Sequence, residues 1–170
     1  MKPIVSKSIR VRIPKEFKIG KNSIVDDYSY FSTRISIGEY CHVASGCTIA
    51  GGKDFEFILG DFSSISSGVR IWCQSNDYVN DLVILTHEKE IGDKQIKGGV
   101  TIGKMCGIGS NTVIMPNNQI PDGTVIGALS FVPSGFKFKS WSVYAGIPIK
   151  FVKKRNKKNV LKQLEKLLAK

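Results

Sequence analysis

Two histidines are the side chains of this sequence best suited to accept a proton near neutral pH, because an unperturbed imidazole titrates in that range. His42 lies in GEYCHVASGCTIAGG, directly before the apolar Val43, and this position predicts an outward-pointing side chain beside a turn. His87 lies in the polar stretch ILTHEKEIG. Either imidazole could act as a general base, and for each the alternative is a solvated surface histidine.

The four cysteines are less suited to chemistry than the histidines. Cys41, Cys47 and Cys106 fall on small interior positions of the repeat described below, and Cys73 lies at the edge of a repeat unit. No two cysteines have the Cys-x-x-Cys spacing, and neither histidine has metal-ligand spacing with them. We therefore expect buried structural thiols, without a disulfide framework and without a bound metal.

The net charge of +11 points at first to a nucleic-acid partner, but its distribution along the chain does not. Residues 1–21 hold seven Lys or Arg and one Glu, and residues 150–170 hold nine Lys or Arg and one Glu. The intervening residues 22–149 hold twelve acidic and nine basic side chains. A protein that follows a phosphate backbone needs a basic body, so we expect no nucleic-acid partner.

The apolar runs of the sequence are only a handful of residues long. That length predicts no membrane span, and the charges spread through the first twenty residues predict no signal peptide. A cytoplasmic location follows as the expectation.

The residues that could do chemistry are set within a six-residue repeat. Large apolar residues recur at every sixth position in three blocks, and the residue four positions after each of them is usually small. Such a register fits neither the two-residue period of a strand nor the 3.6-residue period of a helix. The repeated apolar residues are Ile19, Val25, Phe31, Ile37, Val43, Ile49, Leu59, Ile65, Ile71, Ile102, Ile108, Ile114, Ile120, Ile126 and Val132.

This repeat predicts an all-β solenoid of triangular cross-section. One hexapeptide forms each flat side, and three hexapeptides form a coil of eighteen residues. The large apolar side chain fills the interior, while the small residue lies inside near a corner where a larger one would clash. The stretch AGGKDFEFI at residues 50–58 is a short insertion, and residues 73–99 form a long polar loop. Long loops on a rigid scaffold commonly carry function.

Three segments follow from the repeat. Residues 1–18 are a basic N-terminal segment, residues 19–137 are the solenoid, and residues 138–170 are a C-terminal segment. The last fifteen residues place apolar side chains on one face of a predicted amphipathic α-helix and lysines on the other. We expect this helix to cover the open end of the solenoid or a neighbouring subunit.

Over about residues 18–155, the repeat resembles that of the hexapeptide-repeat acyltransferases, whose coils form a left-handed parallel β-helix. Within that family the chain is similar to the viosamine-type N-acetyltransferases, which acetylate the amino group of a dTDP-linked 4-amino-4,6-dideoxysugar. Asn76 stands where those enzymes carry the first acid of an Asp-Asp-Tyr pattern, and Met105 stands where they carry a histidine. The matching segments are His42-Val43-Ala44, Gly51-Gly52, FSSISSGVRI, the Asp77-Tyr78 pair, VIGALSFV and VYAGIPIKFVKKR.

The resemblance implies direct transfer of an acetyl group from acetyl-CoA to a sugar, with no metal. His42 is the expected general base, with His87 as the alternative. Asn76, Asp77 and Tyr78 are the expected substrate-binding residues, and Asp77 would orient the sugar amine.

The resemblance also implies a coenzyme A site on the later coils, in the groove between adjacent subunits of a homotrimer. Small residues would let the pantetheine arm approach the backbone closely, and basic residues would contact the phosphates. The expected pantetheine contacts are Gly109, Gly127 and Ala128, and the expected phosphate contacts are Lys150, Lys153, Lys154 and Arg155.

The sequence leaves several alternatives open. The expected activity is N-acetylation of a nucleotide-linked amino-deoxysugar for surface polysaccharide. An O-acetyltransferase that uses the same groove on a saccharide is the second candidate. A solenoid without catalytic activity, acting as a scaffold or binding module, is a third.

Overall fold

The computed structural model describes residues 1–80, 82 and 94–169, which form a parallel β-solenoid followed by one α-helix. The strands, numbered in chain order, are β1 (Ile4–Val5), β2 (Arg10–Val11), β3 (Phe17–Ile19), β4 (Ile24–Val25), β5 (Tyr30–Ile37), β6 (His42–Val43), β7 (Thr48–Leu59), β8 (Ser64–Ile65), β9 (Arg70–Trp72), β10 (Gln74–Asn76), β11 (Gln95–Lys97), β12 (Val100–Ile102), β13 (Gly107–Ile108), β14 (Val113–Ile114), β15 (Asn118–Ile120), β16 (Val125–Ile126), β17 (Phe131–Val132), β18 (Ser142–Ala145) and β19 (Lys150–Lys154). The helix α1 is Lys157–Leu168.

The strands stack into three faces. The first face runs in the order β1-β4-β6-β8-β13-β16-β18-β19, parallel up to β18, with β19 added antiparallel. The second face contains β2, the N-terminal halves of β5 and β7, then β9, β14 and β17. The third face contains β3, the C-terminal halves of β5 and β7, then β12 and β15. The all-β solenoid predicted from the repeat is confirmed.

The core consists of the repeated apolar side chains. Fourteen of the fifteen positions named above are buried, and Ile19, near the N-terminal end, is partly buried. The small residues are buried beside the corners, where their hydroxyls link successive coils. The Ser23 hydroxyl donates to the Gly38 carbonyl at 2.7 Å and accepts from the Cys41 amide at 2.9 Å. A small polar side chain therefore satisfies two backbone groups where the chain turns.

All four cysteines are buried and free of disulfides, as the repeat predicts. Burial raises the pKa of each thiol, and the pKa reaches about 11 for Cys73 and Cys106. Thiols with such pKa values remain protonated at neutral pH and are poor nucleophiles. They act as small apolar side chains of the core.

The corner between the third and first faces is built from residues with left-handed backbone. Tyr40, Phe62, Met105 and Trp141 all have φ between 52° and 60°, and their amides bond to carbonyls of the preceding coil. Glycine or asparagine usually occupies such positions, because a Cβ atom clashes there. Here large side chains form a ridge, in which the Tyr40 and Phe62 rings stack 5.2 Å apart.

The solenoid begins within the basic N-terminal segment. Strand β1 pairs with β4, and strands β2 and β3 both pair with β5, so residues 4–19 form the first coil. At the other end, edge-to-face aromatic contacts among Phe136, Phe138 and Tyr144 cover the core.

The predicted C-terminal helix is present as α1. Asn156 caps it by accepting a hydrogen bond from the Asn159 amide at 3.0 Å. No residue of α1 is fully buried: Val160, Leu161 and Leu164 are partly buried, whereas Leu167 and Leu168 are exposed. Across the described ranges 1–80, 82 and 94–169, the helical structure includes no segment long and apolar enough to cross a bilayer.

Candidate active site

His42 forms a close pair with Asp26 on the first face. Its Nε2 atom lies 2.7 Å from Oδ2 of Asp26, which directly follows β4 on the preceding coil. Both side chains keep a little under half of their surface exposed, at 45% for His42 and 42% for Asp26. The structure thus confirms that His42 points outward, and it adds a carboxylate partner that motif reading did not identify.

The pair has the geometry of a general base with an orienting carboxylate. An ionised Asp26 accepts a hydrogen bond from Nε2–H, and this fixes the tautomer in which Nδ1 of His42 carries the lone pair. Nδ1 makes no hydrogen bond within the described part of the chain. The same carboxylate would stabilise the imidazolium formed when Nδ1 takes up a proton.

Beyond His42 the first face carries a row of small outward residues. The strand register places Ser64, Gly107, Val125 and Val143 in line with His42, one on each successive coil. We call these four residues the first-face track. Because none of the four has a long side chain, a slender ligand can lie close to the strands along this face.

At two glycines in or near the track, the absence of a side chain serves different purposes. A Cβ atom on Gly109 would collide with the backbone of Ala128, whose Cα atom would lie 2.7 Å away. A Cβ atom on Gly107 would meet only Cγ2 of Val125, at 3.9 Å. Gly109 is therefore required for coil stacking, whereas the absence of a side chain at Gly107 serves only to leave the face open.

Gly127 and Ala128 are also close to the first face. A Cβ atom on Gly127 would lie 3.0 Å from Cβ of Ala145 on the next coil, which is a tight contact. Ala128 is exposed at the corner that follows β16. The role of both residues toward coenzyme A stays a prediction.

Two of the expected phosphate contacts lie at the far end of the same face. Lys153 pairs with Val143, so it extends the track by one strand. Lys150 pairs with Ala145, two residues further along β18. Both are exposed. Five strand spacings separate β6 from β19, which corresponds to about 24 Å. The histidine and the lysines thus mark opposite ends of one flat strip.

Arg155 is held differently from the lysines. Its Nη1 atom donates to the Met105 carbonyl and, at 3.1 Å, to the Gly123 carbonyl, and its guanidinium lies 5.9 Å from the Trp141 ring centre. The Trp141 ring covers Gly123, where a Cβ atom would collide with it. Arg155 therefore ties the C-terminal segment to the corner of the solenoid, and a further contact with phosphate stays a prediction.

Strands β10 and β11 form an antiparallel hairpin that leaves the solenoid after the second face. Asp77 directly follows β10, and its carboxylate accepts hydrogen bonds from the Val79 amide at 3.0 Å and from the Asn80 side chain at 2.8 Å. The Asn80 side-chain bond is the main cause that lowers the pKa of Asp77, so this group is a carboxylate at neutral pH.

A pocket of about 400 Å³ lies between this hairpin and the second face. We call it the hairpin pocket. Asn76 lines it, and Tyr78 lies at its edge with 70% of its surface exposed. Motif reading did not identify Trp72 and Met115, which add an aromatic ring and a thioether to the lining. The other lining residues are Gln74 and Ser75.

A single chain does not bring all the expected site residues together. His42, the track and the two lysines share the first face, whereas Asn76, Asp77 and Tyr78 belong to the hairpin beside the second face. His87 lies outside the described residues. Within those residues, no group of three His, Cys, Asp or Glu side chains is placed to hold a metal ion.

Asp26 is the candidate site residue that a finer use of the repeat would have found. It lies sixteen residues before His42, two short of the eighteen-residue coil, so it neighbours His42 across one strand spacing. The period alone contains this information. No motif in the sequence points to Trp72 or Met115.

Comparison with known proteins supports the fold. Residues 18–51 match the family "Bacterial transferase hexapeptide (six repeats)". The chain is 33% identical over 148 residues to dTDP-4-amino-4,6-dideoxy-D-glucose acyltransferase of Escherichia coli, covering 82% of this chain and 72% of that protein.

Two further relatives extend the comparison. One is AntD, an N-acyltransferase from Bacillus cereus, in the crystal structure of a variant bound to dTDP-4-amino-4,6-dideoxyglucose and coenzyme A. That structure superposes on this chain with a TM-score of 0.87 at 28% identity, covering 99% of this chain and 91% of AntD. WbbJ of Escherichia coli K12, assigned by name to O-acetyl transfer in lipopolysaccharide biosynthesis, is 26% identical over 129 residues, covering 75% of this chain and 61% of WbbJ.

Proposed function

The chain belongs to the bacterial hexapeptide-repeat acyltransferases, and on that premise we propose that it transfers an acetyl group from acetyl-CoA to the amino group of a nucleotide-linked amino-dideoxysugar, with dTDP as the nucleotide. The observation that carries the proposal is the first face. A histidine–carboxylate pair heads a track of small residues, and two lysines end it.

Coenzyme A would lie along this face. Its phosphates would meet Lys150 and Lys153, its pantetheine arm would cross the track, and its thioester would reach the region of His42. The strip of about 24 Å is on the scale of an extended pantetheine arm with its pyrophosphate. Lysine supplies a point charge to phosphate without fixing its orientation, which suits an exposed end of the site.

The reaction needs one proton to leave the attacking amine. The amine nitrogen would form a bond to the thioester carbonyl carbon while Nδ1 of His42 accepts a proton from that nitrogen. Collapse of the tetrahedral adduct breaks the carbon–sulfur bond, and the thiolate of coenzyme A leaves and takes up the proton. Asp26 stabilises the transient imidazolium.

We propose that the acceptor sugar is supplied by an adjacent copy of the chain in a homotrimer. The separation of the hairpin from the first face within one chain supports this arrangement, because an adjacent copy could bring its hairpin to the first face. The Asp77 carboxylate of one copy would then orient the sugar amine before the thioester held by the next. Asn76 and Tyr78 would supply neutral hydrogen bonds to the sugar.

Acetylation of a sugar hydroxyl is the second candidate, and the His42–Asp26 pair is the observation that favours it. A hydroxyl is a weak nucleophile until a base removes its proton, whereas an amine needs only to be neutral. A base with an oriented carboxylate therefore gives a larger advantage to O-acetylation. The similarity to WbbJ agrees with this candidate.

Matched acceptors distinguish the two candidates. The purified protein would be incubated with acetyl-CoA and with dTDP-sugars that differ only in carrying an amine or a hydroxyl at the same ring position, and thiol release would be followed. We expect turnover with the amine and little with the hydroxyl, while a reaction without acceptor gives the background. Turnover confined to hydroxyl acceptors would overturn N-acetylation in favour of O-acetylation, and failure to bind coenzyme A would favour a scaffold.

We further propose a cytoplasmic enzyme that supplies acetylated sugar for surface polysaccharide. Four free cysteines without a disulfide are typical of proteins in a reducing compartment, which supports this location.

A further inference from the structure

A pocket of about 400 Å³ lies on the second face near the N-terminal end of the solenoid. Arg12, Ser32 and Lys53 provide its polar lining, together with Ile13 and Gly52, and we call it the cationic pocket. Arg12 follows β2, and its amide bonds to the Phe31 carbonyl at 2.9 Å, which places it on the rung beside Ser32. The basic N-terminal segment thus delivers a guanidinium to a fixed place in the fold.

In the part of the chain that the structure describes, the cations of this pocket form no ion pair with a carboxylate. Across residues 1–80, 82 and 94–169, no carboxylate lies within 4.0 Å of the charged nitrogens of Arg12 or Lys53, although Asp54 follows Lys53 in the chain. A side-chain hydrogen bond with Arg12 is the main cause that lowers the pKa of Tyr30, so the guanidinium is held beside the Tyr30 hydroxyl. In a concave site, guanidinium and ammonium groups that form no ion pair with a described carboxylate favour an anionic ligand.

The backbone leaves room for such a ligand. Gly52 has φ of +73°, and a Cβ atom there would have no neighbour nearer than Oε1 of Gln74, at 3.9 Å. Gln74 belongs to the lining of the hairpin pocket, so the two pockets adjoin at this point. On the second face, Ser32, Ala50 and Trp72 are paired in register on three successive strands. Ser32 of the cationic pocket and Trp72 of the hairpin pocket are therefore two strand spacings, about 10 Å, apart.

We propose that the cationic pocket binds the diphosphate of the nucleotide-linked substrate, while the adjoining hairpin pocket holds the sugar. Arg12 provides a planar fork of donors that matches two phosphate oxygens, Lys53 adds a point charge, and the Ser32 hydroxyl adds a donor. Ala50, the small residue between the pockets, leaves a passage between them. This inference rests on the proposed function, because it assigns the anionic part of the same substrate.

Calorimetric titration with dTDP and with inorganic pyrophosphate tests the proposal on the full chain. The variants are Arg12→Ala, Lys53→Ala, their combination, and Arg12→Lys, which keeps the charge but loses the fork. Lys18→Ala is the matched control, since it removes an exposed cation of the same basic segment on the third face, outside the pocket. Titration with coenzyme A on every variant verifies that the first face is intact.

We expect the double variant to bind dTDP and pyrophosphate about 10- to 100-fold more weakly, with Arg12→Lys intermediate and Lys18→Ala unchanged. Coenzyme A affinity should stay constant throughout. Equal affinity for dTDP in the wild-type protein and the double variant would overturn the proposal, as would an equal loss in Lys18→Ala.

Different results would show that the proposed reaction is wrong and that the proposed diphosphate site is wrong. If no amino sugar is turned over but pyrophosphate binding still depends on Arg12 and Lys53, the anion site stands and the assigned reaction is wrong. If amino sugars are turned over with unchanged KM in the double variant, the reaction stands and the site is wrong.

Discussion

At the scale of single residues, the pairing of His42 with Asp26 gives the exposed imidazole a defined tautomer. The 2.7 Å contact supports the interpretation of His42 as a general base, and that role stays a prediction. Asp26 also shows how a repeat carries information that a motif does not. Because side chains one coil apart are neighbours, every candidate residue has partners near the eighteen-residue offset.

Replacement of His42 by Ala should lower kcat for the sugar amine by about 10- to 100-fold. This loss is at or below the lower limit for general-base assistance, because an amine needs less help than a hydroxyl. Asp26→Asn should give a smaller loss, since the base remains but its orientation and the stabilisation of the imidazolium weaken. Steady-state kinetics measure both, and coenzyme A affinity should not change. An unchanged kcat in His42→Ala would remove His42 from the mechanism.

The glycines of the first face give a second residue-scale prediction. Gly109→Ala should destabilise the fold by about 1–3 kcal/mol, because its Cβ has no space against Ala128. Gly107→Leu should leave the free energy of unfolding within about 0.5 kcal/mol and instead weaken coenzyme A binding, because its side chain would lie on the open track. Urea unfolding and calorimetric titration separate the two effects. Equal destabilisation by both substitutions would contradict this assignment.

At the scale of elements, the sequence predicts the coils better than the corners. The apolar and small positions were predictable because each has one role in a packed interior, and the structure buries them accordingly. The left-handed corners at Tyr40, Phe62 and Trp141 were not predictable, because intrinsic preference assigns such backbone to glycine or asparagine. Stacking and cation contacts along the ridge offset part of the local strain.

The first coil was not predicted for a related reason. Val5, Val11 and Phe17 also recur every six residues, but two residues out of phase with the series that begins at Ile19. A short 3₁₀ turn at Pro14–Glu16 absorbs the difference, so that Val11 still pairs with Phe31 on the next coil. Because of this shift in phase, the sequence pattern assigns the first coil to the basic N-terminal segment and not to the solenoid.

The C-terminal segment carries a prediction at this scale, because its basic residues divide into two roles. Arg155→Ala should lower the free energy of unfolding by about 1–3 kcal/mol, since the Met105 and Gly123 carbonyls lose their donor. Lys153→Ala should leave stability unchanged and weaken coenzyme A binding about tenfold. Thermal unfolding and titration on both variants test the division. Loss of coenzyme A affinity in Arg155→Ala without destabilisation would show that Arg155 belongs with the phosphate contacts.

At the scale of the whole molecule, the charge distribution separates the two ends of the solenoid. The C-terminal lysines lie at the end of the first face, where we place coenzyme A, and Arg12 of the N-terminal segment lines a pocket on the second face. Both proposed ligands are anionic, yet they would occupy different faces of one chain. The sequence predicts the two basic ends, but only the stacking of strands shows that they open onto different surfaces.

Separation of the two faces predicts that each active centre takes residues from two copies of the chain. Mixed trimers of His42→Ala and Asp77→Asn should then regain activity. In a random mixture, about one quarter of the active centres combine an intact His42 from one copy with an intact Asp77 from the next. Both variants would be unfolded together, refolded and assayed against the separately refolded proteins. A mixture of His42→Ala with Asp26→Asn is the matched control, since these residues share one chain's face and no mixture can restore the pair. Activity of the first mixture equal to the mean of its two components would place the whole centre within a single chain.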